Sequence, residues 1–100
     1  MGVIMVSVKR LVLDILKPHQ PNALEFSCTL AKVGDDYHVS LTVIEVDENT
    51  ETIQVVIEGS NINFESIQTA ISDMSGSLHS IDEVEVQSEV DKEKSATLIE

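Results

Sequence analysis

Residues 10–21, RLVLDILKPHQP, decide the fold, because they join a strong β-strand directly to a proline-bounded turn. Leu11, Leu13 and Ile15 alternate with residues that are also mostly apolar, so both faces of the strand are apolar. Such a pattern is typical of a central strand, or of a strand whose second face is covered. Asp14 interrupts the second face with a carboxylate, and it is the most unusual residue of the stretch.

Size and charge bound the class of protein. One hundred residues predict one domain with a two-layer core, and the scarcity of aromatic residues favours a sheet of Val, Ile and Leu. The net charge is −12, and residues 33–91 hold fourteen Asp and Glu but no Lys or Arg. This surface disfavours nucleic-acid binding and attracts cations or basic partners, although it could serve solubility alone.

Cysteine content and hydropathy bound the location of the protein. The lone Cys28 excludes an internal disulfide and a cysteine-based zinc site, and its helical context predicts a small buried side chain. No apolar run reaches the roughly 18 residues of a membrane span, and the N-terminal sequence is not that of a signal peptide. We therefore predict a cytoplasmic protein without a membrane partner.

Hydrophobic periodicity predicts six elements in the order strand, helix, strand, strand, helix, strand. The predicted strands cover residues 6–17, 37–47, 52–58 and 78–87, and the predicted helices cover residues 22–33 and a segment between Asn63 as N-cap and Gly76 as C-cap. This order predicts an α+β, ferredoxin-like βαββαβ sandwich, with a four-stranded antiparallel sheet and two helices on one face. Residues 1–87 would form this domain, and residues 88–100 a mobile or loosely helical tail.

The sheet face away from the helices is predicted to carry more apolar surface than water normally contacts. Its candidate interface residues are Val12, Leu16, Ile44, Val46, Val56 and Ile81. Clustered apolar residues usually mark a partner site, and a second copy of the same chain is the commonest partner. We therefore predict a homo-oligomer, with a tolerated scatter of surface apolar residues as the alternative.

Three segments resemble consecutive signatures of an archaeal family, domain of unknown function 211. They are KRLVLDILKPHQP at residues 9–21, LTVIEVDENTETIQVVIEG at residues 41–59 and GSLHSIDEVEV at residues 76–86. The resemblance covers residues 6–86 and implies a ferredoxin-like fold, an archaeal intracellular setting and a ring-forming or otherwise oligomeric assembly. It implies no activity and no catalytic residue.

A divalent-cation site is the first chemical hypothesis. Residues 47–51 begin like a calcium loop, but Thr52 stands where the loop needs Gly and the following residues have a strand pattern. The pattern therefore argues against an EF-hand, and the two remaining interpretations are a looser Ca²⁺ or Mg²⁺ site and a solvated acidic turn. The candidate ligands are Asp14, Asp47, Glu48, Glu51, Glu58, Asp82 and Glu83.

Catalytic signatures are otherwise weak, since the sequence has neither a nucleophile-elbow motif nor a phosphate-binding glycine loop. The leading hypothesis is a non-enzymatic, self-assembling binding or scaffold domain that holds a divalent cation or small ligand between subunits. The alternative is an enzyme whose site is completed between subunits around Asp14, His19 and His79, because His19 and His79 could meet at one end of the sheet.

Overall fold

The computed structural model describes residues 3–90 and has the six predicted elements in the predicted order. The strands are β1 Ile4–Pro18, β2 His38–Val46, β3 Thr50–Glu58 and β4 Ser77–Val90, and the helices are α1 Ala23–Ala31 and α2 Phe64–Asp73. β4 runs three residues past the predicted domain boundary at residue 87. The remainder of the predicted tail, residues 91–100, lies outside the described residues.

The four strands form one antiparallel sheet in the order β2-β3-β1-β4. β1 is central and pairs on both edges, as its two apolar faces predicted. Alternate residues of β1 and β3 pack with both helices in one continuous core, so the helices cover a single face of the sheet. The predicted ferredoxin-like α+β fold is confirmed.

The core is aliphatic apart from one aromatic ring. Its buried members are Leu11, Leu13, Ile15, Phe26, Leu30, Ile53, Val55, Ile57, Ile62, Ile67 and Ile71. In α1 the buried side chains are four residues apart, at Phe26 and Leu30. Cys28 lies midway between them, on the opposite side of the helix, and is exposed. The prediction of a buried cysteine was therefore wrong.

The ends of α2 agree with the predicted N-cap but not with the predicted C-cap. The Asn63 side chain accepts a hydrogen bond from the Ser66 N–H at 3.0 Å. At the other end, the left-handed residue is Ser75, with φ of 64°, rather than Gly76. Among residues 3–90, no helix is long and apolar enough to cross a membrane.

Two β-bulges overturn part of the predicted open face. An extra residue at Ile44 shifts the β2–β3 register, so Val46 lies opposite Glu51. An extra residue at Asp82 shifts the β1–β4 register, so Ile81 lies opposite Leu13. Directly paired residues share a face, and simple alternation fails beyond a bulge, so Val46 and Ile81 lie on the helix-side face.

The other predicted interface residues differ in accessibility. Val12 is only 6% exposed, and it lies opposite Val56 at the centre of the open face. Leu16 in β1 and Ile44 in β2 are exposed on that face. Val12 is therefore part of the folded interior, and substituting it would test folding rather than assembly.

β1 and β4 extend beyond the rest of the sheet as a two-stranded arm, which we define as residues 4–8 paired with residues 86–90. The pairing of β1 with β3 begins only at Arg10, opposite the last residue of β3, Glu58. The described part of the molecule is accordingly elongated, with extents of 63 × 22 × 18 Å. The arm is the main architectural feature that the sequence did not predict.

The position of the core makes a direct prediction for two matched substitutions. Ile53 in β3 is 0% exposed, whereas Ile44 in the neighbouring strand is 60% exposed. We expect Ile53→Ala to lower the free energy of unfolding by about 2–5 kcal/mol, because it leaves a cavity in the core. Ile44→Ala should change it by no more than about 0.5 kcal/mol in the isolated chain. Urea unfolding of both variants measures the difference, and equal losses would contradict this core.

Candidate functional site

A buried lysine closes the core at the end of β1. Lys17 is fully buried, and its Nζ donates to the Pro18 carbonyl at 2.8 Å and to Glu51 Oε1 at 3.1 Å. The same Nζ lies 5.9 Å from the centroid of the Phe26 ring. A buried ammonium is strongly unfavourable unless it is paired and hydrogen-bonded, so these contacts are required by the fold. They tie the end of β1 to β3 and to α1.

His19 extends this group into a three-residue cluster, Lys17–Glu51–His19. Its Nδ1 lies 3.0 Å from Glu51 Oε2, and its Nε2 lies 2.9 Å from the Glu48 carbonyl oxygen. A carboxylate and a carbonyl both accept hydrogen bonds, so both contacts are satisfied when both ring nitrogens carry protons. The cluster thereby links the segment after β1 to the turn between β2 and β3.

The sequence analysis assigned His19 and Glu51 to two other candidate sites and did not assign Lys17 to any site. It grouped His19 with Asp14 and His79, and it counted Glu51 as a metal ligand, whereas the structure engages both in an ion-pair cluster. The alternation of β1 contained a signal from which the buried position of Lys17 could have been predicted. Lys17 follows Leu11, Leu13 and Ile15 on the buried phase, which indicates a lysine that must reach a carboxylate.

Arg10 forms a second ionic group, on the open face of the sheet. Its Nη1 lies 2.9 Å from Glu58 Oε2 in β3, and its Nε lies 2.8 Å from Glu83 Oε2 in β4. The bond to Glu83, followed by that to Glu58, raises the pKa of Arg10. Arg10 therefore bridges carboxylates of the two strands that neighbour β1, and it forms no ion pair with Asp14.

The predicted cation ligands do not come together as one site within residues 3–90 of a single chain. Among residues 3–90, no three His, Cys, Asp or Glu side chains form a group suited to a metal ion. Three of the seven candidate ligands bond cationic side chains, and these are Glu51, Glu58 and Glu83. Asp82 accepts a hydrogen bond from the Ser80 hydroxyl at 2.7 Å. Asp47 and Glu48 are exposed beside the β2–β3 turn.

One pocket lies on the open face, with a volume of about 180 Å³. It is lined by Asp14, Ile15, Leu16, Thr52 and His79. Asp14 and His79, two members of the hypothetical acid–base set, thus meet in one concavity. His19, the third member, does not line it and is engaged with Glu51 instead. A single chain therefore brings together only part of the set.

The arm carries the other unusual surface. Val8 lies opposite Val86 and packs against the core, and the pair Ile4 and Val90 lies on the same phase farther out. This apolar face therefore continues the helix-covered face beyond the helices. Its exposed members are Ile4, Val6, Val86 and Val90.

The Lys17–Glu51–His19 cluster makes stability depend on pH in a defined direction. The Glu51 carboxylate, and then the Glu48 carbonyl, raise the pKa of His19 above 6.5, so its contribution is complete below pH 6.5 and is lost as pH rises through the raised pKa. His19, and then Lys17, lower the pKa of Glu51 below 4.5, so its contribution is complete above pH 4.5 and is lost as pH falls through the lowered value. We expect the contribution of the cluster to be greatest between these limits.

Urea unfolding of wild type and His19→Gln over a pH series measures this contribution as the difference between the two free energies of unfolding. The difference should shrink as pH rises above 6.5, since the neutral imidazole loses one of its two bonds. Acid-side loss should persist in the variant, because Lys17 still bonds Glu51. A difference that stays constant across the series would contradict the assigned cluster.

Comparison with known proteins agrees with this architecture. The model of the DUF211 family, described as "Uncharacterized ArCR", matches residues 9–98. The uncharacterized protein MJ0319 of the archaeon Methanocaldococcus jannaschii is 44% identical over 77 residues, which cover 77% of this chain and 79% of the relative. Neither description names an activity. The chain therefore belongs to the DUF211 family, as the three sequence signatures predicted.

Proposed function

We propose that this protein is a non-enzymatic, self-assembling scaffold domain whose copies associate through the arm. One observation carries the proposal: the arm extends an apolar surface beyond the helices that cover the rest of the same face. The candidate interface thus moves from the open face of the sheet to the arm. The open face retains Leu16 and Ile44 as its exposed apolar residues among those predicted.

The stability of the arm supports a covering partner. A two-stranded β-ribbon is marginally stable in water, because it needs a third strand or a packed layer to bury its apolar side chains. In the arm, Ile4 is 72% exposed and Val86 is 50% exposed. Burying such a side chain contributes about 1.5–3 kcal/mol relative to full exposure. A second copy that covers several of them would stabilise both arms.

The backbone of the arm offers a second means of association. The Val8 carbonyl accepts a hydrogen bond from the Ile62 N–H at 2.8 Å, so it is directed away from β4. Residues of a strand alternate in direction, so the N–H and C=O groups of Val6 and Ile4 also point away from β4. Within residues 3–90, no strand pairs with this edge beyond Arg10. It is available to a strand of a second copy.

The distribution of charge also favours the arm as the contact between copies. Natural edge strands are commonly protected by charged side chains, and β4 carries such protection in Glu85 and Glu89. The β1 part of the arm, residues 4–8, carries no charge. Chains of net charge −12 repel one another, so contact over an uncharged strip avoids burying carboxylates. Contacts between unlike surfaces of successive copies close into a ring when the rotation permits, which is the assembly that the family resemblance implies.

Two matched valine substitutions test the proposal. Val6 in the arm is 64% exposed, and Val46 at the far end of β2 is 63% exposed. We expect Val6→Lys to raise the Kd for assembly by about 100-fold or more, because an unpaired ammonium in an apolar interface costs several kcal/mol. Val46→Lys should leave assembly unchanged. Sedimentation velocity over a range of protein concentrations measures both.

The possible results distinguish an error in the position of the interface from an error in the proposal of self-assembly. Disruption by Val46→Lys but not by Val6→Lys would move the interface to the far end of the sheet and refute the arm. A wild-type protein that sediments as a monomer at micromolar concentration would refute self-assembly itself. Amide NMR spectra of both variants check that the fold is kept, which is expected because both side chains are exposed.

A further inference from the structure

The pocket on the open face is formed by a β-bulge. Asp14 lies opposite Ser80 and Ile15 lies opposite Leu78, so His79 is an extra residue in β4. A bulge interrupts the ladder locally and redirects side chains, and bulges are frequent beside functional sites. Here the bulge brings His79 to the pocket that Asp14 and Leu16 also line.

The pocket contains an unpaired carboxylate. Asp14 is partly buried, and among residues 3–90 no group donates a hydrogen bond to it or forms an ion pair with it. The pocket lining includes no Lys or Arg. The arginine on this face, Arg10, is occupied by Glu58 and Glu83. An ionised carboxylate accepts hydrogen bonds only, so Asp14 lacks a donor.

The remaining lining is suited to a short alkyl chain with a hydrogen-bonding head. Of the residues that line the pocket, Leu16 has an apolar side chain and Thr52 carries a hydroxyl group. Ile15, the remaining apolar lining residue, is fully buried. A volume of about 180 Å³ corresponds to roughly six water molecules at about 30 Å³ each. The pocket therefore fits an organic group of a few heavy atoms.

We propose that this pocket binds the ammonium group of a small aliphatic amine. The ammonium donates to the Asp14 carboxylate, with the Thr52 hydroxyl and a ring nitrogen of His79 as further acceptors, and the alkyl chain packs on Leu16. A charge-assisted hydrogen bond to a partly buried carboxylate is stronger than one between neutral groups. The site lies within one chain, so it does not depend on the proposed assembly.

Other ligand classes fit the same lining less well. Calcium takes six to eight oxygen ligands, whereas the pocket side chains supply one carboxylate and one hydroxyl. Zinc sites use three or four protein ligands, whereas Asp14 and His79 supply two. Anions are disfavoured by Asp14 and by the net charge of −12. An ammonium needs only the acceptors that are present.

Titration of the full chain with three probes of equal alkyl length tests the proposal: n-butylammonium, n-butanol and butyrate. We expect saturable amide NMR shifts at Asp14, Leu16, Thr52 and His79 with n-butylammonium at millimolar concentration. Butanol and butyrate should not saturate these shifts. Equal binding of butanol would show an apolar crevice only, and the absence of saturable shifts with n-butylammonium would overturn the site.

Substitutions separate the pocket from the general charge of the protein. Asp14→Asn should raise the Kd for n-butylammonium about tenfold or more, since it removes the charged acceptor. Asp73→Asn makes the same neutralisation in α2, in the other layer, and should leave the Kd within about twofold. His79→Lys places a competing ammonium beside Asp14 and should abolish binding. Equal effects of Asp14→Asn and Asp73→Asn would overturn the proposal, as would Ca²⁺ or Zn²⁺ binding that excludes n-butylammonium.

Discussion

β1 is hydrogen-bonded along both of its edges, and this pairing organises the whole sheet. β3 and β4 both align against this strand, so its two faces become the two faces of the sheet. One face meets the helices and must be apolar, which Leu11, Leu13 and Ile15 satisfy. The other face receives Val12 at its buried centre and Asp14 at the pocket. The two faces of the sheet therefore follow from the pairing of β1, and the arm follows from the greater length of β1 relative to β3.

This acidic chain has few basic side chains, and two of them form the ion pairs that connect its strands. Lys17 and Arg10 each contact carboxylates from strands that neighbour β1, and thereby link strands that are distant in sequence. Lys17 is buried, so removing its carboxylate partner would be strongly destabilising, whereas the Arg10 pairs are partly solvated and breaking them would cost less. Asp14, on the same strand, has no such partner within the described residues. Asp14 is also partly buried in a pocket, whereas Asp47 and Glu48 are exposed.

The candidate sites were only partly predictable, for a physical reason that recurs at each correction. Alternation predicts faces correctly as long as the pairing register is regular, and it placed Asp14 on the open face. A bulge adds one residue and reverses the faces beyond it, which is how Ile81 and Val46 came to lie on the helix side. Ion-pair partners could not be predicted from the sequence for a related reason. Glu51 meets Lys17 and His19 only because β3 has one particular register against β1.

Sequence patterns were sufficient to predict the order of elements, the ferredoxin-like topology, the central role of β1 and the family. These follow from local periodicity, from the strand ends at Pro18 and Gly59, and from the small number of topologies that this order of elements allows. The length of the arm, the Lys17–Glu51–His19 cluster and the pocket beside Asp14 became apparent only in the folded chain. Each depends on where the strands end and on their pairing register. That register is set by packing between residues far apart in the chain.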